Sequence, residues 1–471
     1  MNDNIYLFGA GNYGKMAYEK LKGVYKIKGF IDNSTSNKSR INDIPFINGS
    51  IISKEMTANA DIIVCIEQYG DVITQLRNIG INNNYIFRAG FLYYSDSSTE
   101  MKPIEAFSKT KPIRKEVSKK SILFVQNMAC IRTHKIAKVM KEFGYNVYLL
   151  YQYIPPINEY GEFSTVYDGI YTFTTIKGIQ DFIEKSEIDV VHCSNEPDLL
   201  VNIANLTSKP VVADTHDLLS INRPLTEQDY FLEYLANTIS TGNIYPTEGV
   251  RMQAIEKYGE KDRESIVIEN LIFDQSKKSN LPKKISREDN EVHCVYEGGI
   301  IPLDRSRQKF FEDIWLLIAS KGIHIHFYTQ NKLYGEELEK KSDYLHYEGN
   351  YGGKELASEL EKYDCGLALY NITETNQVCL ETCSPNKIYE YLDAGLPVMG
   401  NVKSHVSFLK KYRVGNGIDW NNDILQQFLE LREIKVQRDF LSEHKLTMRS
   451  KAKELDEFYC RVIEKSRKNK L

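Results

Sequence analysis

A chain of 471 residues exceeds the roughly 100–200 residues of one domain, so its length implies several packed units, counted here as three. With 42% hydrophobic and 26% charged residues and a net charge of -4, it has the composition of an ordinary globular protein, with no global attraction to nucleic acid or to an anionic membrane. The eight cysteines are scattered without zinc-ligand spacing, the N-terminus runs straight into a strand-like segment, and no apolar run approaches the ~20 residues of a membrane span. The expectation is a cytoplasmic protein with reduced thiols, whose membrane contact, if any, is peripheral at the inner face.

The first unit is expected over residues 1–97. Strand-like Ile5-Tyr6-Leu7-Phe8 leads into Gly9-Ala10-Gly11-Asn12-Tyr13-Gly14, a helix to about Lys22, and a second strand ending at Asp32. Gly9, Gly11 and Gly14 in that context let the chain turn tightly, bring backbone close to a pyrophosphate and aim a helix N-terminus at its charge. An acid some twenty residues on can accept hydrogen bonds from a ribose. Gly9, Gly11, Gly14 and Asp32 are therefore candidate ligands of a dinucleotide or nucleotide. The alternative is that the glycines serve only tight strand-to-helix packing. The segment, including Gly29-Phe30-Ile31-Asp32-Asn33, resembles the small Rossmann-like domain found beside sugar-modifying enzymes and at the start of sugar O-acyltransferases.

Residues 98–120 are rich in Lys, Ser and Pro and read as an exposed linker. A second βαβ unit is expected over 121–285, from strand Ser121 to Gln126, a helix around Thr133 to Phe143, and further strands at Asn146 to Tyr151, Asp189 to His192 and Pro210 to Ala213. A third is expected over 286–445, opening with Glu291 to Tyr296 and Gly298-Gly299, with strands near His324 to Tyr328 and Cys365 to Tyr370. Asn422 to Lys468 reads as one long polar helical segment, expected in a bilobed enzyme to cross back and tie the lobes together, with 446–471 a C-terminal helix and basic tail.

The densest chemistry lies in Ser384-Pro385-Asn386-Lys387-Ile388-Tyr389-Glu390-Tyr391-Leu392-Asp393-Ala394-Gly395-Leu396-Pro397-Val398. Pro385 suits a helix start, and Ile388, Tyr391 and Leu392 form a buried stripe. Lys387 and Glu390 are left on another face, one turn apart. A lysine there can neutralise a diphosphate, while the carboxylate can accept hydrogen bonds from a ribose diol. A surface salt bridge on an ordinary helix is the alternative. His216, between Asp214 and Asp217 at a strand end, can be oriented toward a sugar hydroxyl. His192 and Glu196 lie at another strand end, and Arg132 and His134 follow the first strand of the second unit.

The segment 384–398 resembles the donor-site signature of retaining glycosyltransferases of family 4. Val295 to Ile300, Tyr347-Glu348-Gly349, Tyr363 to Ala368 and Asp214-Thr215-His216-Asp217 resemble further stretches of that family in its order, so that the likeness covers about 120–445. It implies an α/β chain with the GT-B fold, two Rossmann-like domains facing a cleft, preceded here by a third small Rossmann-like domain. Implied with it is transfer of a sugar with retention from a UDP- or GDP-sugar to a glycan, lipid-linked or protein-linked acceptor, in surface polysaccharide or glycan assembly. No cofactor beyond the nucleotide sugar and no metal is expected, since no Asp-x-Asp sits where a metal-bound diphosphate requires one. By this resemblance His216, Asp217 and Glu390 are the catalytic candidates. Gly298, Gly299, Ser384, Pro385, Asn386, Lys387 and Glu390 are the donor-binding ones, with a cation from Arg305, Arg307 or Lys309.

Two departures stand out. The family's pair of glutamates seven residues apart is incomplete, with Thr382 where the first belongs and Glu381 one place off. Asn127-Met128-Ala129-Cys130 replaces a glycine pair. Two other readings follow: a bifunctional protein whose N-terminal domain is an NAD-dependent sugar-modifying unit, or a non-catalytic sugar-nucleotide-binding protein.

Overall fold

The computed structural model describes residues 2–34, 40–41, 43–66, 69–82, 84–88, 91–95, 101–103, 111–114, 118–127, 130–151, 163–172, 176–195, 198–259, 264–274, 283–302, 304–351 and 353–468. Of the residues singled out above, Met128, Ala129 and Glu196 lie outside this set. The chain divides into two compact units, Met1–His134 with Gly144–Val211, and Lys135–Phe143 with Val212–Leu471.

In the first unit, eight strands among the described residues run in the order Arg40–Ile41, Ile44–Asn48, Lys26–Asp32, Asn4–Phe8, Asp61–Val64, Asn84–Arg88, Phe91–Ser95 and Met101–Pro103. The five from Ile44–Asn48 to Asn84–Arg88 are parallel, and the outer strands pair antiparallel. Parallel strands are covered on both faces, which explains continuous apolar runs rather than alternation. Ile5 and Leu7 pack with Ala17 and Leu21 of helix Asn12–Leu21, while Phe8 and Val64 pack on the other face with Val72 and Leu76. The strand order reverses beside Asn4–Phe8, so the glycine loop sits at the switch point where such sheets leave a crevice.

The stretch 98–120 carries structure at two points. Met101–Pro103 adds an antiparallel edge strand, where a proline is tolerated because its missing donor faces no partner. Ile113 is buried, its N–H donating to Ser186 Oγ at 3.1 Å. A three-residue edge strand is too short to leave a periodic signature. Further along this unit, Gly169–Thr172, Asn146–Tyr151, Ser121–Gln126 and Val190–Ser194 lie side by side and parallel, with helix Ile131–Glu142 between the first two in sequence.

In the second unit, Val211–Asp214, Gly242–Tyr245 and Glu264–Val267 are parallel neighbours. A six-stranded parallel sheet follows, in the order Leu345–Tyr347, Ile323–Tyr328, Val292–Glu297, Cys365–Ala368, Val398–Gly400 and Gly415–Gly417. By sequence this is 3-2-1-4-5-6, the order of a nucleotide-binding sheet. Val292, Cys294 and Tyr296 face a core built on Trp315 and Phe327. Val295 faces the opposite way, onto Ile388, Tyr391 and Leu392. The predicted stripe of the 384–398 segment is thus the face by which its helix grips the sheet. Gly366 makes this possible, since a Cβ there would stand 2.3 Å from the Tyr391 ring.

The segment read as one helix from Asn422 to Lys468 is three: Ile424–Arg432, Phe440–Glu443 and Ala452–Lys468. Lys445 takes the left-handed φ of +56° between the last two, a break that average polarity does not reveal. The last helix lies on strands made much earlier in the chain. A Cβ at Gly242 would stand 2.6 Å from Val462, and Arg461 Nε donates to Glu264 at 2.7 Å.

Gly366→Ala should lower stability by roughly 1–3 kcal/mol, because neither Tyr391 nor the sheet can yield without displacing the helix. Urea unfolding of the second unit, followed through Trp315 fluorescence, reads this loss.

Candidate functional site

The site is built at the C-terminal ends of the six-stranded sheet. Strand Val292–Glu297 ends in Glu297 and turns at Gly298, whose φ of +122° a side chain would strain. The turn is pinned by Gly298 N–H to Tyr328 O at 3.0 Å and by Tyr296 OH to Gly299 O at 2.8 Å. Helix Asn386–Asp393 starts beside it, with Pro385 in the extended conformation at the cap position. Tyr391 OH accepts from Glu297 N–H at 3.1 Å, locking the helix to the strand end.

Two ammonium groups converge on the turn. A Cβ at Gly298 would lie 3.7 Å from Lys387 Nζ, and one at Gly299 3.9 Å from Lys309 Nζ. Lys387 Nζ sits 3.9 Å from the centroid of the Tyr296 ring and 5.5 Å from that of Tyr370, a setting that favours a cation in place of water. Burial pulls its pKa down to about 8, against the pull of Glu297 and with the repulsion of Lys309. Glu297 is pushed well above the usual carboxylate range, first by burial and then by Glu390, to which it is hydrogen-bonded.

Among the three cations considered after the turn, only Lys309 is at the glycines. Arg305 is directed to Asp313 at 3.3 Å and Arg307 to Asp304 at 3.2 Å, both largely exposed. A loop's charges follow its local acids, and sequence spacing does not distinguish the three.

A pocket opens on the other side of the helix start, lined by His216, Asp217, Asn270, Cys379, Thr382, Cys383 and Ser384. His216 Nε2 lies 3.4 Å from the fully buried Asp214 carboxylate, with Asp217 exposed beside it. Thr215 N–H donates to Ile244 O at 2.9 Å and fixes this strand end. Asn270 ties the pocket together, donating from its backbone to Ser384 Oγ at 3.1 Å and from Nδ2 to Ser384 O at 2.9 Å. Cys383 joins the two halves of the site: burial pushes its thiol up to about 12, Asp217 adds to that rise and Lys387 opposes it.

The displaced glutamate has a physical explanation. Glu381 accepts from the Lys403 and Ser404 amides at 3.1 and 2.8 Å, capping helix Lys403–Tyr412, while Thr382 faces the pocket. Glu381 is therefore spent on structure. Sequence reading overlooked Glu297, Asn270, Tyr296 and Tyr370. Glu297 had a signal, an acid between a strand and a glycine pair, whereas Asn270 had none.

In the first unit, Gly14 fits because a Cβ there would stand 1.8 Å from Gly9 O, and Gly9 has φ +116°. Gly11 faces open space. Asp32 accepts from Ala10 N–H at 2.7 Å and Ser34 N–H at 2.8 Å; burial opposes its charge, but these amides hold its pKa below the usual range. Asp32 thus braces the glycine loop. His192 is fully buried against Phe124, and Thr133 and Ser194 hydroxyls meet at 2.7 Å beneath the start of helix Ile131–Glu142.

Residues 316–444 match the model of the Glucosyltransferase 3-like, C-terminal domain family. No curated protein matches the chain. Among solved structures, a glycosyltransferase from Rickettsia africae ESF-5 is 12% identical, covers 73% of this chain and 99% of its own, and has a TM-score of 0.51. Anabaena Alr3699/HepE in complex with UDP-glucose is 15% identical over 74% of this chain and 97% of its own, with a TM-score of 0.46. WaaG, a glycosyltransferase involved in lipopolysaccharide biosynthesis, is 14% identical over 73% and 98%, with a TM-score of 0.45. The fold is α/β, with several parallel nucleotide-fold sheets of the GT-B kind.

Glu381→Ala should cost about 1 kcal/mol, the worth of a helix cap, and leave the ligand-binding surface intact. Urea unfolding gives the first, and unchanged nucleotide-induced thermal shifts give the second.

Proposed function

We propose that the protein is a retaining glycosyltransferase that moves a sugar from a UDP- or GDP-sugar to a glycan, lipid-linked or protein-linked acceptor in surface polysaccharide or glycan assembly. The observation that carries this reading is the pair of ammonium groups, Lys387 and Lys309, at the open side of the Gly298–Gly299 turn. A glycine turn with two cations and an adjacent helix start suits a diphosphate. The backbone N–H of Gly299 and those of the first helical turn after Ser384 and Pro385 add neutral donors. Glu390, one helical turn from Lys387, holds the ribose diol. The match of residues 316–444 to a glucosyltransferase-like domain supports the same class.

In the reaction, the bond from the anomeric carbon to the diphosphate breaks while an acceptor hydroxyl attacks from the same face. The developing negative charge falls on the diphosphate, where Lys309 and Lys387 stabilise it more strongly than in the ground state. The leaving phosphate takes the acceptor's proton. His216, oriented by Asp214 and flanked by Asp217, holds a sugar hydroxyl in the adjoining pocket. The diphosphate is neutralised by lysines, so added Mg²⁺ or Mn²⁺ is not required. The glycine loop of the first unit, with Gly9, Gly11, Gly14 and Asp32, is assigned a separate nucleotide or dinucleotide. The enzyme works in the cytoplasm, at or near the inner membrane face.

Donor class is tested by thermal shift with UDP-, GDP-, ADP- and CDP-sugars. Lys387→Ala and Glu390→Ala should each cut donor hydrolysis or transfer at least about 100-fold, while Arg305→Ala should stay within about twofold. Wild-type activity surviving both site variants would remove this reading and favour a nucleotide held elsewhere.

The lowered Lys387 pKa sets a pH dependence. A diphosphate binds the ammonium form, so binding takes up a proton near pH 8, and affinity falls toward about tenfold per unit above it. Calorimetry of UDP binding at pH 8 in buffers of different ionisation enthalpy measures the uptake, which Lys387→Met should abolish.

A further inference from the structure

Four of the nine histidines stand together at the opposite end of the same sheet. His293 lies near the start of strand Val292–Glu297, His324 and His326 lie on Ile323–Tyr328, and His346 lies on Leu345–Tyr347. Strand pairing sets His293 against His324 and His326 against His346. The rings of each pair stack with centroids 4.4 Å apart. Three carboxylates rim the cluster. Asp289, at the end of helix Ser286–Asp289, lies 3.0 Å from His293 Nε2; Glu291 lies 2.5 Å from His324 Nε2; and Glu348 lies 2.7 Å from His326 Nδ1.

The hydrogen-bond arithmetic of this cluster does not close with neutral rings. Asp289, His293, His326 and Glu348 form one line with three contacts, the middle one His293 Nδ1 to His326 Nε2 at 2.9 Å. Each contact needs one proton, ionised carboxylates bring none, and two neutral imidazoles bring two. If His326 donates from Nδ1 to Glu348, its Nε2 accepts from His293 Nδ1–H. The His293 Nε2 lone pair then faces the Asp289 carboxylate, two acceptors at 3.0 Å. One further proton or a metal ion closes the line. A further imidazole is at hand, because donor atoms of Asp289, His293 and His324 all lie within 4.8 Å of one another, and His324 exchanges its Nε2 contact with Glu291 for the ion.

We propose that Asp289, His293 and His324 form a binding site for a divalent transition-metal ion of the zinc class. Two imidazoles and one carboxylate are the donor set such ions prefer, whereas Mg²⁺ and Ca²⁺ call for oxygen donors. A tetrahedral ion with bonds of roughly 2.0–2.1 Å sets its ligand atoms ~3.3 Å apart. The existing 3.0 Å pair is close to that, and Asp289, which is exposed, and His324, which is partly buried, have room to close the rest. The outer partners are in place. His326, fixed by Glu348, accepts from His293 Nδ1–H, and His346 sits 2.8 Å from His324 Nδ1. Such contacts orient metal-binding imidazoles and raise their basicity.

The ion is structural. Its ligands lie at the starts of the strands, while Gly298, Lys387 and Glu390 lie at or beyond their ends, so the ion ties helix Ser286–Asp289 to the first two strands of the sheet without meeting the diphosphate. This inference does not depend on the transferase reading.

The test uses the full chain stripped by chelator and titrated with Zn²⁺ alone, by calorimetry and thermal shift, then with Co²⁺ by absorption. One equivalent of Zn²⁺ is expected to bind and raise the melting temperature. Co²⁺ should give the d–d bands of a four-coordinate nitrogen and oxygen site without a thiolate charge-transfer band. Asp289→Asn and His324→Gln, both at partly exposed side chains, should each weaken Zn²⁺ binding at least about tenfold with unchanged circular dichroism and unchanged UDP-induced thermal shift. His444→Gln should bind as wild type. Absence of saturable uptake, a thiolate band with Co²⁺, or affinity unaltered in the Asp289→Asn, His324→Gln double variant would each overturn the proposal.

Discussion

A lysine kept out of water yet within reach of solvent sets the terms for the rest of the second unit. Lys387 loses hydration between the Tyr296 and Tyr370 rings, and this pulls its pKa to about 8. Such a group survives only where the surroundings repay part of the desolvation. Glu297 and Glu390 do so electrostatically, opposing the effect of burial on Lys387, while burial and Glu390 push Glu297 above the usual carboxylate range.

Holding that arrangement requires stiffness from the elements around it. Tyr391 reaches from the helix to the Glu297 amide, through space that Gly366 leaves vacant. Asn270 fastens Ser384, and Glu381 anchors the next helix at Lys403 and Ser404. The sequence feature that departs most from the family pattern, a glutamate one place early, is thus a carboxylate recruited to a helix cap. At the next position Thr382, small and uncharged, lines the pocket.

Much of this was legible in one dimension, and the limits have physical causes. Helix Asn386–Asp393 was readable because a proline start and an apolar stripe are local properties. The three parallel-sheet rhythms were readable because strands buried on both faces leave unbroken apolar runs. Which of Arg305, Arg307 and Lys309 turns toward Gly299 was not, since it depends on where Asp304 and Asp313 stand after folding. The break at Lys445 was hidden because polarity is averaged over turns while a left-handed residue is a single event. The histidine cluster was invisible for a different reason. His293, His324, His326 and His346 match no ligand spacing, and only strand register brings them together.

Helix Ala452–Lys468 rests on strands Gly242–Tyr245 and Glu264–Val267, with partners Arg461 and Glu264 separated by 197 residues. During synthesis those strands leave the ribosome with one apolar flank bare, and it stays so until nearly two hundred further residues have emerged. An early-made surface that waits for a late-made cover ties completion of one half of the protein to translation of the other. Until then the uncovered apolar surface is open to association with neighbouring chains.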